Sequence, residues 1–357
     1  MGARRSGATR TGPGAGLRRL VLVTLAATFA LVVLGGVVRV SDSGLGCGPA
    51  GSGLQGWPLC RGDLLPGLDL NAVIEYAHRA LASGVGLLMI ALAVVAWRRR
   101  RTLYRGVVWA TFAAVALVVA QGLLGAVTVE LNLAAALVAA HLGLAMLLLG
   151  LLLYVWQGVP PEGAHHGGSD VGGGEAGRER GLRWLALAAS AAVLCTIVVG
   201  GYMAGTEKYG RADRGQSAGA HYACGTDFPA CNGSFMPFGQ SRLADVHLTH
   251  RAFMYLTAAL VVALAIGTLR RRARRREVRL AASAAGLLAL QILLGALNVW
   301  ITPQYEALIL AHPTVATLLW MSVAGLALEL GTARTGRTEA TGDRRSGARP
   351  AGEPVTA

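Results

Sequence analysis

The sequence predicts an all-α membrane protein: eight transmembrane helices forming two tandem four-helix bundles, related by a pseudo-twofold axis along the membrane normal. Three observations carry this expectation. The 357 residues are 54% hydrophobic and only 15% charged, with a mean hydropathy of +0.50, less charge than a soluble chain of this length carries. The apolar residues fall in runs of about 20, enough to cross the hydrocarbon core as helices. Finally, segments of the first half recur about 170 residues later in the second.

The runs span residues 20–40, 72–97, 106–128, 133–156, 182–204, 246–269, 280–301 and 306–330. The first follows a basic stretch, but "GGVVRVSDSG" at its end is a poor cleavage site, so it reads as a retained helix rather than a signal peptide. Residues 1–19 then form a basic N-terminus, 20–157 the first half and 158–181 a Gly-rich linker. The second half is 182–330, and 331–357 is a tail without periodicity, read like the linker as disordered. His165 and His166 in the linker read as solvated loop residues.

The net charge of +14 does not indicate nucleic acid. Most of the 33 lysines and arginines cluster at Arg4–Arg19, Arg98–Arg105, Arg178–Arg183, Arg270–Arg279 and Arg334–Arg349, all on one side of an eight-span chain. The positive-inside rule makes that side, and both termini, cytoplasmic in a cell membrane.

The repeat is visible in three segments. "QGLLGAVTV" at Gln121–Val129 matches "QILLGALNV" at Gln291–Val299. "LVAAHLGLAMLLL" around His141 matches "LILAHPTVATLLW" around His312, and "EYAHRALA" around His78 matches "HLTHRAFM" around His250. A four-span repeat begins and ends on one side, so both copies share one orientation.

The repeat places four imidazoles, His78, His141, His250 and His312, at one depth, five to eight residues into the second and fourth span of each half. At 1.5 Å per residue this is roughly 8–12 Å below the outer surface. Ionisable groups inside a membrane are costly and generally functional. Pairs on different helices of one bundle suit axial ligation of a haem iron; no Cys or carboxylate set at that depth completes a zinc site. Arg79, Arg251 and Arg39 are candidates for the haem propionates, because guanidinium binds carboxylates bidentately. Glu75 stands three residues before His78, where the second half has His247. Its i, i+3 spacing puts it on the same face as His78, where a carboxylate can move protons or polarise a reactant.

Of the five cysteines, Cys47 and Cys60 share the first outer loop and Cys224 and Cys231 the third. Loop-closing disulfides are the favoured reading on an oxidising side, with a redox couple facing a thiol partner as the alternative. Cys195, within the fifth span, reads as a small apolar residue.

These residues resemble the haem A synthase family, membrane enzymes that convert haem O to haem A for terminal oxidases. The resemblance covers about residues 20–330. It rests on "EYAHR" at Glu75–Arg79, "AAH" ending at His141, "THR" at Thr249–Arg251, "AHP" at Ala311–Pro313 and the "WPLC" that closes the first cysteine loop. It implies a haem b cofactor ligated by His250 and His312, and a haem O substrate ligated by His78 and His141. It also implies a role for Glu75 in oxidising the C8 methyl group to formyl, and correspondence of Cys47 and Cys60 to the family's paired cysteines. Haem O synthase is the implied supplier. The absence of a nicotinamide or flavin fingerprint points to a membrane or thiol electron donor, and homo-oligomerisation is left open. The competing expectation is a di-haem b-type electron-transfer protein that does no chemistry on its haems.

Overall fold

The computed structural model describes residues 13–159, 173–206, 219–271, 273–301 and 306–346. His165 and His166, the first twelve residues and the last eleven lie outside them. The described residues form eight long helices and no named strand: α1 (Pro13–Val40), α2 (Leu70–Arg98), α3 (Arg105–Glu130), α4 (Ala135–Gly158), α5 (Gly173–Gly205), α6 (Arg242–Leu269), α7 (Arg275–Trp300) and α8 (Glu306–Ser346). Each is long and apolar enough to cross a membrane.

Several helices outrun their apolar runs. α1 starts at Pro13, α5 at Gly173, within the expected linker, and α8 continues to Ser346. The backbone is therefore helical through part of the stretch read as a disordered tail. Hydropathy marks where lipid begins, whereas the helix stops only where its hydrogen bonding is broken or capped.

Side-chain caps fix the starts of α2 and α6. The Asp69 carboxylate accepts from the Ala72 N–H at 3.0 Å and the Ser241 hydroxyl from the Ala244 N–H at 3.1 Å, each satisfying a first-turn donor. At α7, Glu277 accepts from the Arg274 N–H at 3.1 Å and pairs with Arg271 at 2.6 Å, so this helix starts earlier than its apolar run.

Helix α1 packs on α2 and α4, α2 on α3, and α3 on α4. Likewise α5 packs on α6 and α8, α6 on α7, and α7 on α8. Helix α4 also touches α5 and α8, and α1 touches α8. Glycines line this last seam, where small residues let helix backbones approach without a hydrophobic drive. A Cβ on Gly143 of α4 would lie 2.9 Å from Val198 of α5, and one on Gly36 of α1 would lie 2.8 Å from Leu310 of α8. Polar contacts cross it too. The Arg39 guanidinium donates to the Ala204 carbonyl at 2.6 Å, the Trp320 indole to Met146 at 2.9 Å, and the Gln157 amide to Gly325 at 2.9 Å. The main core, which includes Met146, Leu149, Val193 and Trp320, runs through both halves. Large apolar side chains such as Leu87, Trp109 and Leu123 face outward.

Candidate functional site

The two loops that precede α2 and α6 are built alike. Each is closed by a disulfide, Cys47–Cys60 and Cys224–Cys231, as the favoured reading of the sequence held. Each has a cis X-Pro bond two residues before its second cysteine, Trp57–Pro58 and Phe228–Pro229. Each then reverses through a pair of positive-φ residues, Arg61-Gly62 (54°, 86°) and Asn232-Gly233 (50°, 78°). In both turns the second cysteine's N–H bonds a carbonyl three residues on at 2.8 Å, Asp63 and Ser234. Consecutive left-handed residues make this a primed turn, and Gly at the second position removes the Cβ strain. The disulfides pack on the N-terminal turns of the helices that follow them, against Ala72 in the first turn of α2 and Leu248 in the second turn of α6.

The four histidines lie on α2, α4, α6 and α8, and one arrangement recurs at each. His78 on α2 stands against Gly35 of α1, His141 on α4 against Gly125 of α3, His250 on α6 against Gly200 of α5, and His312 on α8 against Gly295 of α7. A Cβ at those glycines would lie 3.2, 3.5, 3.0 and 3.2 Å from the facing imidazole Cε1. Each ring is thus backed by bare backbone while remaining partly accessible. The double glycines divide the work between their two faces. Gly35 and Gly200 back a histidine within their own half, while Gly36 and Gly201 pack on Leu310 and Leu142 of the other half.

His250 and His312 face each other, with ring centres 6.5 Å apart and planes inclined by 61°. An iron held between two imidazole nitrogens at about 2 Å from each requires ring centres roughly 6 Å apart, so the pair fits a bis-histidine haem iron. His78 and His141 are within electrostatic reach of one another. Among the described residues no cluster of three or more His, Cys, Asp or Glu could hold a metal ion. A donor set of paired imidazoles suits a metal whose remaining ligands come from a porphyrin ring.

The residues beside the histidines serve the loops. Glu75 is 3% exposed. Its Oε2 accepts from the Cys47 N–H at 2.8 Å, and its Oε1 pairs with Arg79. The sequence expectation that this carboxylate projects towards the His78 cavity is therefore revised: both oxygens are turned to the disulfide loop and to the arginine one turn on. His247, its counterpart, bonds the Ala220 carbonyl through Nδ1 at 2.9 Å. The Glu/His difference between halves follows the loop group each must meet, an N–H in one case and a carbonyl in the other.

The arginines expected to meet propionates are likewise engaged. Arg79 donates to the carbonyls of Gly56 at 2.6 Å and Leu59 at 3.1 Å. Arg251 donates to the carbonyls of Ala230 and, at 2.8 Å, Asp227, and lies 5.5 Å over the Phe228 ring. Arg39 reaches Ala204 across the seam. Backbone carbonyls, whether of the loops or of Ala204 in α5, have no sequence signature, which is why these partners were not foreseen.

Sequence reasoning also missed Gly125 and Gly295, although both lie in the repeated "Q-x-L-L-G" segment. It missed His221, whose loop brings it within electrostatic reach of His247, His250 and His312. A separate cleft of about 790 Å³ opens between α4, α5 and α6, lined by Ala136, Val198, Tyr202, Arg242 and Thr249. None of the four histidines borders it.

Comparison with known proteins gives a consistent picture. The family model described as Cytochrome oxidase assembly protein matches residues 18–324. A heme A synthase of Halalkalibacterium halodurans is 30% identical over 71% of this chain and 78% of the relative. That of Symbiobacterium thermophilum is 31% identical over 79% and 85%, and that of Alkalihalophilus pseudofirmus 26% identical over 85% and 93%.

Proposed function

The chain belongs to the Cytochrome oxidase assembly protein family, and from that premise we propose how it acts as a haem A synthase, an oxidoreductase that converts haem O to haem A. The substrate is haem O, whose C8 methyl group stays on the ring and is oxidised to a formyl group, gaining one oxygen atom and giving up four electrons and four protons to an acceptor outside the chain. His78 and His141 hold the substrate iron in the first half. His250 and His312 hold a resident haem b in the second; that group supplies one-electron chemistry when bound. The observation that carries this assignment is the 6.5 Å separation of the His250 and His312 rings, supported by the glycine behind every one of the four imidazoles.

The chain's own residues position and enclose. Bare backbone at Gly35, Gly125, Gly200 and Gly295 lets the rings lie close to the neighbouring helix, which limits their rotation. Arg79 and Arg251 hold the disulfide loops down on the helices that carry His78 and His250, so the loops act as lids that exclude water. Glu75 joins the first lid to the His78 helix, and we assign its carboxylate the proton movements at the first site. Those movements require it to exchange the Cys47 N–H for a reactant. Propionate binding by Arg79 or Arg251 would add to their loop contacts, and by Arg39 to its bond with the Ala204 carbonyl of α5. The two halves form tandem bundles about a pseudo-twofold axis, in keeping with their matched sequence segments and helix neighbours. Clustered arginines put both termini on the cytoplasmic side, with the disulfide loops outside. Haem O synthase supplies the substrate.

The deciding experiment is pigment analysis of the purified chain expressed with and without a haem O source. Haem A is expected only with the source. Recovery of haem O alone from folded, haem-loaded protein would overturn the assignment.

A further inference from the structure

The two histidine pairs differ in what their ring nitrogens meet. In the second half, His250 Nδ1 lies 3.1 Å from the Thr196 carbonyl, and the Gln291 amide nitrogen lies beside the His312 ring, 3.2 Å from Nδ1 and 3.0 Å from Nε2. In the first half, the matched Gln121 is turned away from the ring and donates instead to the His141 backbone carbonyl at 2.9 Å. Among the described residues, Nδ1 of His78 and Nδ1 of His141 are buried without a hydrogen-bond partner.

A ligand imidazole that donates its second N–H to an acceptor has a fixed tautomer and ring orientation and is a stronger base towards the metal. With Nε2 on the iron, Nδ1 of His312 carries the proton and needs an oxygen. Gln291 Oε1 is buried and has no partner among the described residues. Turning the amide about its last bond presents that oxygen to the ring, since amide oxygen and nitrogen occupy equivalent positions. We infer that Gln291 is a positioning residue that fixes His312 on the resident haem, and that Gln121, spent on backbone, leaves the first-half pair free to bind haem O and release haem A. The same glutamine, turned to the imidazole in one half and to backbone in the other, thereby separates a retaining site from an exchanging one. This rests on the reading that His250 and His312 hold the resident haem.

The test uses the full-length, haem-loaded protein with two readouts, the rate of haem transfer to apomyoglobin and the reduction potential of the low-spin haem. Gln291→Leu removes the acceptor and is expected to speed haem loss by roughly 10–100-fold, the range for lost outer-shell partners. Gln291→Glu keeps an oxygen with more negative charge, so the haem is retained and its potential moves negative. Gln121→Leu leaves both readouts of the resident haem unchanged. Unaltered transfer and potential in Gln291→Leu overturn the inference, as does a positive shift in Gln291→Glu. If Gln291→Leu does not assemble, the sign of the Gln291→Glu shift decides. Failure of the underlying reading looks different: the low-spin signal would survive His250→Ala and His312→Ala.

Discussion

The Cys47 backbone N–H and the Glu75 carboxylate are joined at 2.8 Å, so the first disulfide loop and the helix bearing His78 share one buried charged contact. The same carboxylate neutralises Arg79, whose other nitrogen holds the Gly56 and Leu59 carbonyls. Separating a buried ion pair leaves an uncompensated charge and an unpaired donor.

Two substitutions at Glu75 should therefore part company. Glu75→Gln keeps an oxygen for the Cys47 N–H but cannot exchange a proton. It should retain the resident haem spectrum while haem A yield falls by roughly 100-fold or more. Glu75→Ala should in addition destabilise the protein by on the order of 3 kcal/mol. Wild-type haem A yield from Glu75→Gln, measured by extraction and chromatography, would remove the proton-moving role.

Replacing Cys47 and Cys60 together by Ser frees a loop whose ends are 13 residues apart. A loss of about 3 kcal/mol is expected from loop closure, with turnover per folded molecule retained. Thermal unfolding and a turnover assay check the two halves of that statement. Full stability combined with lost turnover would instead mark the pair as a redox couple.

The glycines behind the imidazoles should rank by clearance. Gly200→Ala would bring a Cβ to 3.0 Å from His250, while Gly125→Ala would bring one to 3.5 Å from His141, an ordinary contact. The first is expected to alter the electron paramagnetic resonance of the low-spin haem and the second to leave the His141 site nearly intact. Gly286→Ala, on α7 but with open space around it, should be neutral or stabilising by up to about 1 kcal/mol.

Asp69, at the start of α2, is held below the ordinary carboxylate range by the Ala72 N–H that it caps, with Arg61 3.5 Å away adding to the effect. A lowered folded-state pKa means that the cap's contribution is present above the unfolded pKa and is lost as pH falls through the folded one. Amide exchange at Ala72 should accelerate below about pH 4. In Asp69→Asn, which caps without titrating, that acceleration should vanish.

Much of the architecture is legible in the chain because the bilayer imposes a coarse code. An apolar run of sufficient length becomes a helix, so the expected 106–128 and 246–269 lie within α3 and α6. The four histidines could be read as a set because the repeat preserves their register. What could not be read depends on rotation about helix axes and on the loops' path. Gly125 is visible as a letter, but its contact with His141 requires knowing which face of α3 meets α4. The partners of Arg79 and Arg251 are loop carbonyls, which every residue has. The orientation of Glu75 was misjudged because i, i+3 spacing gives a helix face and not the direction of a long side chain, which here follows the nearest unsatisfied N–H.

The seam between the halves is bolted at three levels: Arg39 to Ala204 where the disulfide loops attach, Trp320 to Met146 midway, and Gln157 to Gly325 towards the opposite end. Many membrane proteins built from parallel repeats work by rocking one repeat against the other. Here such a motion would have to break all three bonds and unseat the glycines from Leu310 and Leu142. On the proposed function, these contacts favour porphyrin entry sideways between helices of a single half or beneath a lifted lid over a rocking of one half against the other.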